Sequence, residues 1–360
     1  MLAAAAEHLL GPDNRVKHLA LNLFRHGATA LNISGLDGLI GRNHKGIGAV
    51  FVLHSIVRDR QDYLFDSLRT SSAFLESLIR HFITNRIDIV TIGEVARRLE
   101  EESARPFVCF TFDDGFKDNL TTALPIFARH NVPFTVFVTT CFIERMMDNW
   151  WTGLAEILKK QDLVDIPELG MRYQTGTFAE KVAAYQDLSD AIRHGSLTRE
   201  GLDRLLLRSG VTIAEVLDRD ALDLAELRTL AAHPLAEIGG HTTNHPRLSQ
   251  LSAEEVRCEM IENKHWLEVN INRDVHHFAY PFGDRSSCGP REAQIASDIG
   301  FKTALSTRIG NLFTEHRAHL RALPRLRLFN KYEDVRLIEF QRRGGAGALF
   351  RMFRDPIVTM

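Results

Sequence analysis

Two apolar runs, "PFVCFTF" at 106–112 and "VPFTVFVTT" at 132–140, are hydrophobic at nearly every position instead of alternating with polar residues. The helix-spaced "TTALPIFARHN" lies between them. Strands that are apolar on both faces must be covered on both, so runs of this kind separated by helices predict a parallel sheet. Upstream, "GAVFVLHSI" reads as a further strand and "SSAFLESLIRHFITN" has helical spacing. "TIGEVARRLEE" then opens with Thr91 and Glu94 at the separation of a capping box. From about 145 to 233 the strand signal disappears and the chain reads as charged helices, a helical insertion. Beyond it the strand-like "AEIGGH" and "HHFAYPF" alternate with the helical "SAEEVRCEMIENKHWLEV" and "PREAQIASDIG", and "FKTALST" and "RALPRLRLF" follow as weaker strands. The pattern predicts an α/β barrel or a doubly wound sheet, architectures that gather their chemistry at the C-terminal ends of strands.

The bulk properties narrow the partners. Lys plus Arg is 44 against 46 for Asp plus Glu, which gives no reason to expect nucleic acid. The four cysteines are scattered with no C-x-x-C, as suits a reducing compartment. The first residues, "MLAAAAEHLLGPDNR", lack the basic start of a signal peptide, and no run reaches the roughly 18 apolar residues of a membrane span. A cytoplasmic protein is expected. Val16, Leu19, Ala20, Leu23 and Phe24 repeat with helical spacing among basic residues, predicting one amphipathic helix. Two readings stand for it: docking on the protein's own body, or peripheral contact with the inner face of the membrane.

The strand at 107–112 runs directly into Asp113, Asp114 and Gly115. Two adjacent carboxylates repel, and each costs several kcal/mol if desolvated alone, so the pair needs open water or a cation. His241 and His245 stand four apart in "EIGGHTTNHPRL", also after a buried strand, where Gly239, Gly240 and Pro246 indicate a turn. With 16 histidines in the chain the spacing alone is weak; its place at a strand end gives it weight. Two imidazoles and one carboxylate form a three-ligand site that leaves a position for water, as in catalytic and unlike structural zinc. Asp114 would hold the ion and Asp113 would take a proton from the water.

"TFDDG", "HTTNH" and "FAYPFG", in that order, resemble the polysaccharide deacetylase family, also called the NodB-homology or carbohydrate esterase family 4 domain. The similarity covers roughly 46–142 and 234–330. It implies a distorted (β/α) barrel of about seven parallel strands, here with a helical insertion, that hydrolyses acetamides on N-acetylated sugars. It also implies Asp113 as base, Asp114, His241 and His245 as metal ligands, and the Phe282 amide as a donor to the tetrahedral oxyanion, with Tyr280 and Pro281 beside the substrate. The arginine that usually opens the third motif is replaced by Ala279; Arg325 in "ALPRL" either substitutes for it or is a surface residue. The C-terminal histidine motif is also missing. "VLHSIV" resembles the version of it displaced to the N-terminal side, making His54 the candidate general acid, with its unperturbed pKa near 6.5 suited to the task. His316 and His319, in the polar run "TEHRAH", are alternatives read as solvated. Trp150 and Trp151 head the insertion, and Trp151 either supplies a sugar platform or fills the insertion's core.

The expectation is therefore a deacetylase dependent on a divalent metal, Zn²⁺ or else Co²⁺, acting on an N-acetylhexosamine unit of a glycan or glycolipid precursor. The rivals are a hydrolase of a non-sugar amide and a non-catalytic glycan-binding module. The chain divides into a helical arm (1–45), a first barrel segment (46–142), the insertion (143–233), a second barrel segment (234–330) and a tail (331–360), whose Arg342, Arg343, Arg351 and Arg354 read as a solvated face.

Overall fold

The computed structural model describes residues 42–58, 68–101, 105–328, 333–345 and 357–360. In chain order the strands are β1 (Gly48–Leu53), β2 (Ser55–Val57), β3 (Arg69–Ser71), β4 (Asp88–Ile89), β5 (Phe107–Phe112) and β6 (Phe134–Val138). There follow β7 (Leu163–Ile166), β8 (Met171–Gln174), β9 (Ala236–Gly240), β10 (His277–Ala279), β11 (Thr303–Leu305) and β12 (Leu326–Arg327). One parallel sheet runs β11-β10-β9-β6-β5-β1-β12, and β4 pairs the first residues of β5. β1, β5 and β6 are buried at every position, as their unbroken apolar runs predict. Their phenylalanines pack against one another and against the helix Leu124–His130, whose Phe127 stacks on Phe134 with centroids 4.4 Å apart, and each fully buried ring contributes about 1.5–3 kcal/mol.

The stretch before β12 closes the sheet on itself. Leu323 N donates to Ala304 O (3.0 Å) and Ser306 N to Leu323 O (2.9 Å), which ties β11 to this stretch; three residues on, it pairs with β1 as Phe51↔Leu326 and Val52↔Arg327. The result is the distorted (β/α) barrel that the resemblance implied, with helices packed around it. Most helix starts are capped as the sequence indicates. Ser252 and Glu255 form a reciprocal capping box, whereas Thr91 accepts from Glu94 N while the Glu94 carboxylate turns to Arg97 and Arg98.

The stretch 145–233 is not helical throughout. An antiparallel hairpin of β7 and β8 interrupts it, with Val164 and Ile166 buried between exposed neighbours. Four residues of period-two alternation are too short a signal to stand out from helical sequence. Leu154, Ile157, Leu188 and Leu205 give this region a core of its own, while Leu227, Leu230 and Ala231, from the helix Leu224–Ala232, lie in the barrel's core.

The amphipathic helix predicted from Val16 to Phe24 lies outside the described residues, as do Arg351 and Arg354 of the tail. Among the described residues no helix is long and apolar enough to cross a membrane. Arg342, read as part of a solvated face, is buried and paired with Glu339 at 2.6 Å, because the helix Val335–Arg342 packs on the barrel.

Candidate active site

Strand β5 delivers Asp113 to the C-terminal end of the barrel, where its amide donates to Leu53 O at 3.0 Å. Asp113 is 2 % exposed, and Arg325 grips it from the closing stretch: Nη1 donates to Oδ1 at 2.7 Å and Nη2 to Oδ2 at 2.8 Å. The guanidinium is itself fully buried, with Nε donating to Ser306 O and Nη1 also to Thr111 Oγ1, so it is no surface residue. Burial raises the proton affinity of Asp113, but the adjacent Arg325, with His241, outweighs it and holds the carboxyl well below the usual range. A two-point grip of this kind fixes orientation as well as charge.

Asp114 has no such cation. Its backbone sits in the left-handed region at φ 78°, and so do Thr242 (67°), His245 (56°) and Phe282 (61°) around it. Four non-glycine residues in that conformation within one site store backbone strain, each costing of order 1–3 kcal/mol. Asp114 Oδ1 lies 3.5 Å from His241 Nε2 and 3.4 Å from His245 Nε2, and it is a buried oxygen without a hydrogen-bond partner. One donor atom from each of Asp114, His241 and His245 lies within 4.8 Å of the others. Burial first, and then Asp113, pushes the Asp114 carboxyl up to about 8. Burial together with His241 pulls His245 down to about 3, and burial lowers His241 as well. Two neutral imidazoles and an orphaned buried carboxyl oxygen fit a divalent cation, which would remove the charge penalty on Asp114.

The histidines are held from behind. His241 Nδ1 donates to Ala279 O at 2.7 Å, which turns Nε2 toward Asp114; the position where the motif arginine is missing thus supplies a carbonyl. Asn263, fully buried, accepts from His241 N at 3.0 Å and donates to Val138 O and Thr140 Oγ1. Gly240 permits this approach, since a Cβ there would meet Asn263 Oδ1 at 2.6 Å. Asn263 was not among the sequence candidates, yet it falls on the inward stripe Val256, Met260, Asn263, Leu267 of its helix, a polar residue in an apolar series.

His54 follows β1 directly and lies half-buried beside Asp113, its carbonyl accepting from Asn119 Nδ2 at 2.8 Å. Burial, against the opposing pull of Asp113, lowers its pKa to about 4, so the ring is neutral at pH 7 and does not hold the near-6.5 value expected from its type. His316 is not solvated. It is fully buried, accepting from Phe313 N at Nδ1 and contacting Val358 O from Nε2 at 3.1 Å, which pins the end of the chain; His319 is exposed. Tyr280 is also buried, its hydroxyl donating to Arg321 O at 2.8 Å, and Pro281 is buried after it. Both lie beneath the turn that carries Phe282. Phe282 is the exposed residue of the three, at 42 %, with its ring 5.0 Å from that of His245. Trp151 is half-buried against Phe116, Phe142, Met147 and Leu217, where insertion meets barrel.

The profile of the polysaccharide deacetylase family matches residues 100–193 and 209–304, just over half of the chain. His54 and Arg325 fall outside the matched ranges, and it is the fold that brings them to Asp113. No curated protein matches the chain. Among solved structures, a Streptococcus pyogenes deacetylase, PplD, in complex with acetate is 18 % identical with a TM-score of 0.55, covering 81 % of this chain and 97 % of its own. IcaB from Ammonifex degensii is 14 % identical with a TM-score of 0.53, covering 83 % and 98 %. A polysaccharide deacetylase from Bacillus cereus is 14 % identical with a TM-score of 0.52, covering 82 % and 68 %. At such identities the three likenesses establish the fold, and with the profile match over the Asp-Asp and His-x-x-x-His motifs they lead to one conclusion: the chain belongs to the polysaccharide deacetylase family.

Proposed function

We propose that the protein is a metal-dependent deacetylase that removes acetyl from an N-acetylhexosamine unit of a glycan or glycolipid. The observation that carries this reading is the buried, partnerless Asp114 Oδ1 between two imidazoles, one residue from a carboxylate clamped by a buried arginine. Asp114, His241 and His245 would hold the ion, which when bound supplies Lewis acidity and makes a water easier to deprotonate. The acetate named with the Streptococcus pyogenes structure is the product such a reaction releases. The four unpaired cysteines suit work in a reducing compartment, the cytoplasm.

Asp113, fixed by Arg325, accepts the proton of the attacking water as its oxygen bonds to the acetamide carbon. The carbonyl oxygen becomes an oxyanion and takes a hydrogen bond from the Phe282 N–H, which no described residue accepts. His54 starts neutral. Negative charge developing nearby raises its proton affinity, so it takes the proton from Asp113 and passes it to the nitrogen as the C–N bond breaks. Acetate and a free amino sugar leave.

The test is acetate release from a panel of N-acetylated glycans, in chelated protein and after adding Zn²⁺ or Co²⁺. Acetate that depends on added metal supports the reading. Acetate undiminished by chelation, or none from any glycan, overturns it.

A further inference from the structure

The lip around Phe282 carries an excess of positive charge that the deacetylation chemistry does not use. Arg247 places its guanidinium 4.3 Å from the centre of the Phe282 ring and pairs with Asp284 at 3.6 Å, while donating to Ser286 and Ser287. Arg308 donates to Thr359 O and Cys288 O and leaves Nε buried without a partner. Arg285 is exposed and forms no ion pair among the described residues, and the same holds for Arg327. Of these four guanidinium groups only that of Arg247 has an ion pair among the described residues, with Asp284, in a chain whose basic and acidic residues nearly balance.

Arg327 is the one among them on a strand paired with the strand that leads into His54. It ends β12 beside Val52 of β1, two residues from His54. Its Nη2 donates to Thr307 Oγ1 at 3.1 Å, and that hydroxyl donates to Phe282 O at 2.5 Å. The guanidinium is thereby anchored to the turn whose amide faces the oxyanion, with donors left over and no acid among the described residues paired with it. It also lies close enough to His54 to bear on its proton affinity and falls within the fields of Asp113 and Asp284. Like charges held together oppose folding, and a planar fork of donors matches carboxylate and phosphate oxygens.

We infer that Arg327 binds an anionic substituent, a carboxylate or phosphate, on the sugar unit flanking the N-acetylhexosamine being cleaved. The inference rests on the deacetylase reading and narrows its substrate to an anionic glycan. Neutral oligosaccharides would reach the same catalytic groups without this anchor.

The experiment measures kcat/KM for acetate release by the metal-loaded full chain on three matched oligosaccharides. One is a neutral N-acetylglucosamine oligomer, one alternates N-acetylhexosamine with a uronic acid, and one joins N-acetylhexosamine units by phosphodiesters. The wild-type protein should favour one of the anionic oligomers over the neutral one, and which one tells carboxylate from phosphate. Arg327→Gln should lower the anionic-to-neutral ratio about tenfold, through KM, and Arg327→Lys, which keeps the charge without the fork, should restore part of it. High salt should compress the ratio in the wild type more than in Arg327→Gln. Equal efficiency on all three oligomers, or a ratio unchanged in Arg327→Gln, overturns the anionic subsite and leaves the deacetylase reading in place; no acetate from any of the three overturns both.

Discussion

Each end of the barrel carries a buried histidine beside a carboxylate, and the two pairs differ in how they are completed. At the N-terminal end, His277 bonds Thr303 Oγ1 through Nδ1 at 2.7 Å and meets Glu237 from Nε2 at 3.3 Å, and Thr135 donates to the same carboxylate. Burial would raise the Glu237 pKa, but His277 and these hydrogen bonds outweigh it and keep the carboxyl below its usual range. At the C-terminal end, Asp114 stands between two histidines with one oxygen unpartnered and its proton affinity pushed up. Both ends set imidazole against carboxylate. In one cluster the carboxylate is met by its own neighbours, while in the other a buried carboxyl oxygen is left without a partner.

The contrast is tested most severely by removing one histidine from each end. His241→Ala should lose its bound metal, its affinity falling at least 10–100-fold, and acetate release with it. His277→Ala should be less stable but keep both. Metal content by mass spectrometry decides, and equal loss from the two variants would erase the distinction between the ends.

The next effect lies within the open end, between neighbouring aspartates. Asp113→Asn should retain metal and lose about 10²–10⁴-fold in kcat, as expected when a general base is removed. Metal loss from Asp113→Asn with retention in Asp114→Asn would show that the two carboxyls have exchanged roles. His54→Ala should cost about 10²-fold on an N-acetyl substrate and much less on an acetyl ester whose leaving group needs no proton. Equal losses on both substrates would leave His54 only its place at the strand end.

The smallest effect sharpens the contrast through pH. The Asp114 carboxyl, raised to about 8, keeps its proton at neutral pH in the ion-free protein, so loading the site displaces one proton. Metal affinity should then rise about tenfold per pH unit from 5 toward 8 and level off above, as read by titration calorimetry in buffers of different ionisation enthalpy. The stability of the ion-free protein runs the other way. A carboxyl whose folded pKa exceeds its unfolded value contributes fully below about 4, and that contribution is lost as pH climbs through about 8. A chelated protein whose melting temperature climbs over that interval, after correction by Asp114→Asn, would contradict the raised pKa.

Much of this molecule is written locally. The non-alternating runs at 107–112 and 134–138 could satisfy their two apolar faces only inside a sheet covered on both sides, so the parallel barrel was legible from periodicity. The carboxylate pair and the two histidines each follow such a run, and strand ends in these folds converge on one rim, which placed Asp114, His241 and His245 together. Tertiary structure alone decided the rest. Arg325 lies far along the chain from Asp113, and only closure of the sheet through β1 and β12 turns an arginine in an ordinary "ALPRL" into a buried clamp. His54 looks like a histidine of ordinary pKa until the barrel desolvates it, and only the fold buries Tyr280 and gives its hydroxyl to Arg321 O. Periodicity reports which face a residue turns inward, a property of a few neighbouring positions. Proton affinity, ion pairing and access depend on which distant groups arrive at the same place, and that is settled only when the chain is folded.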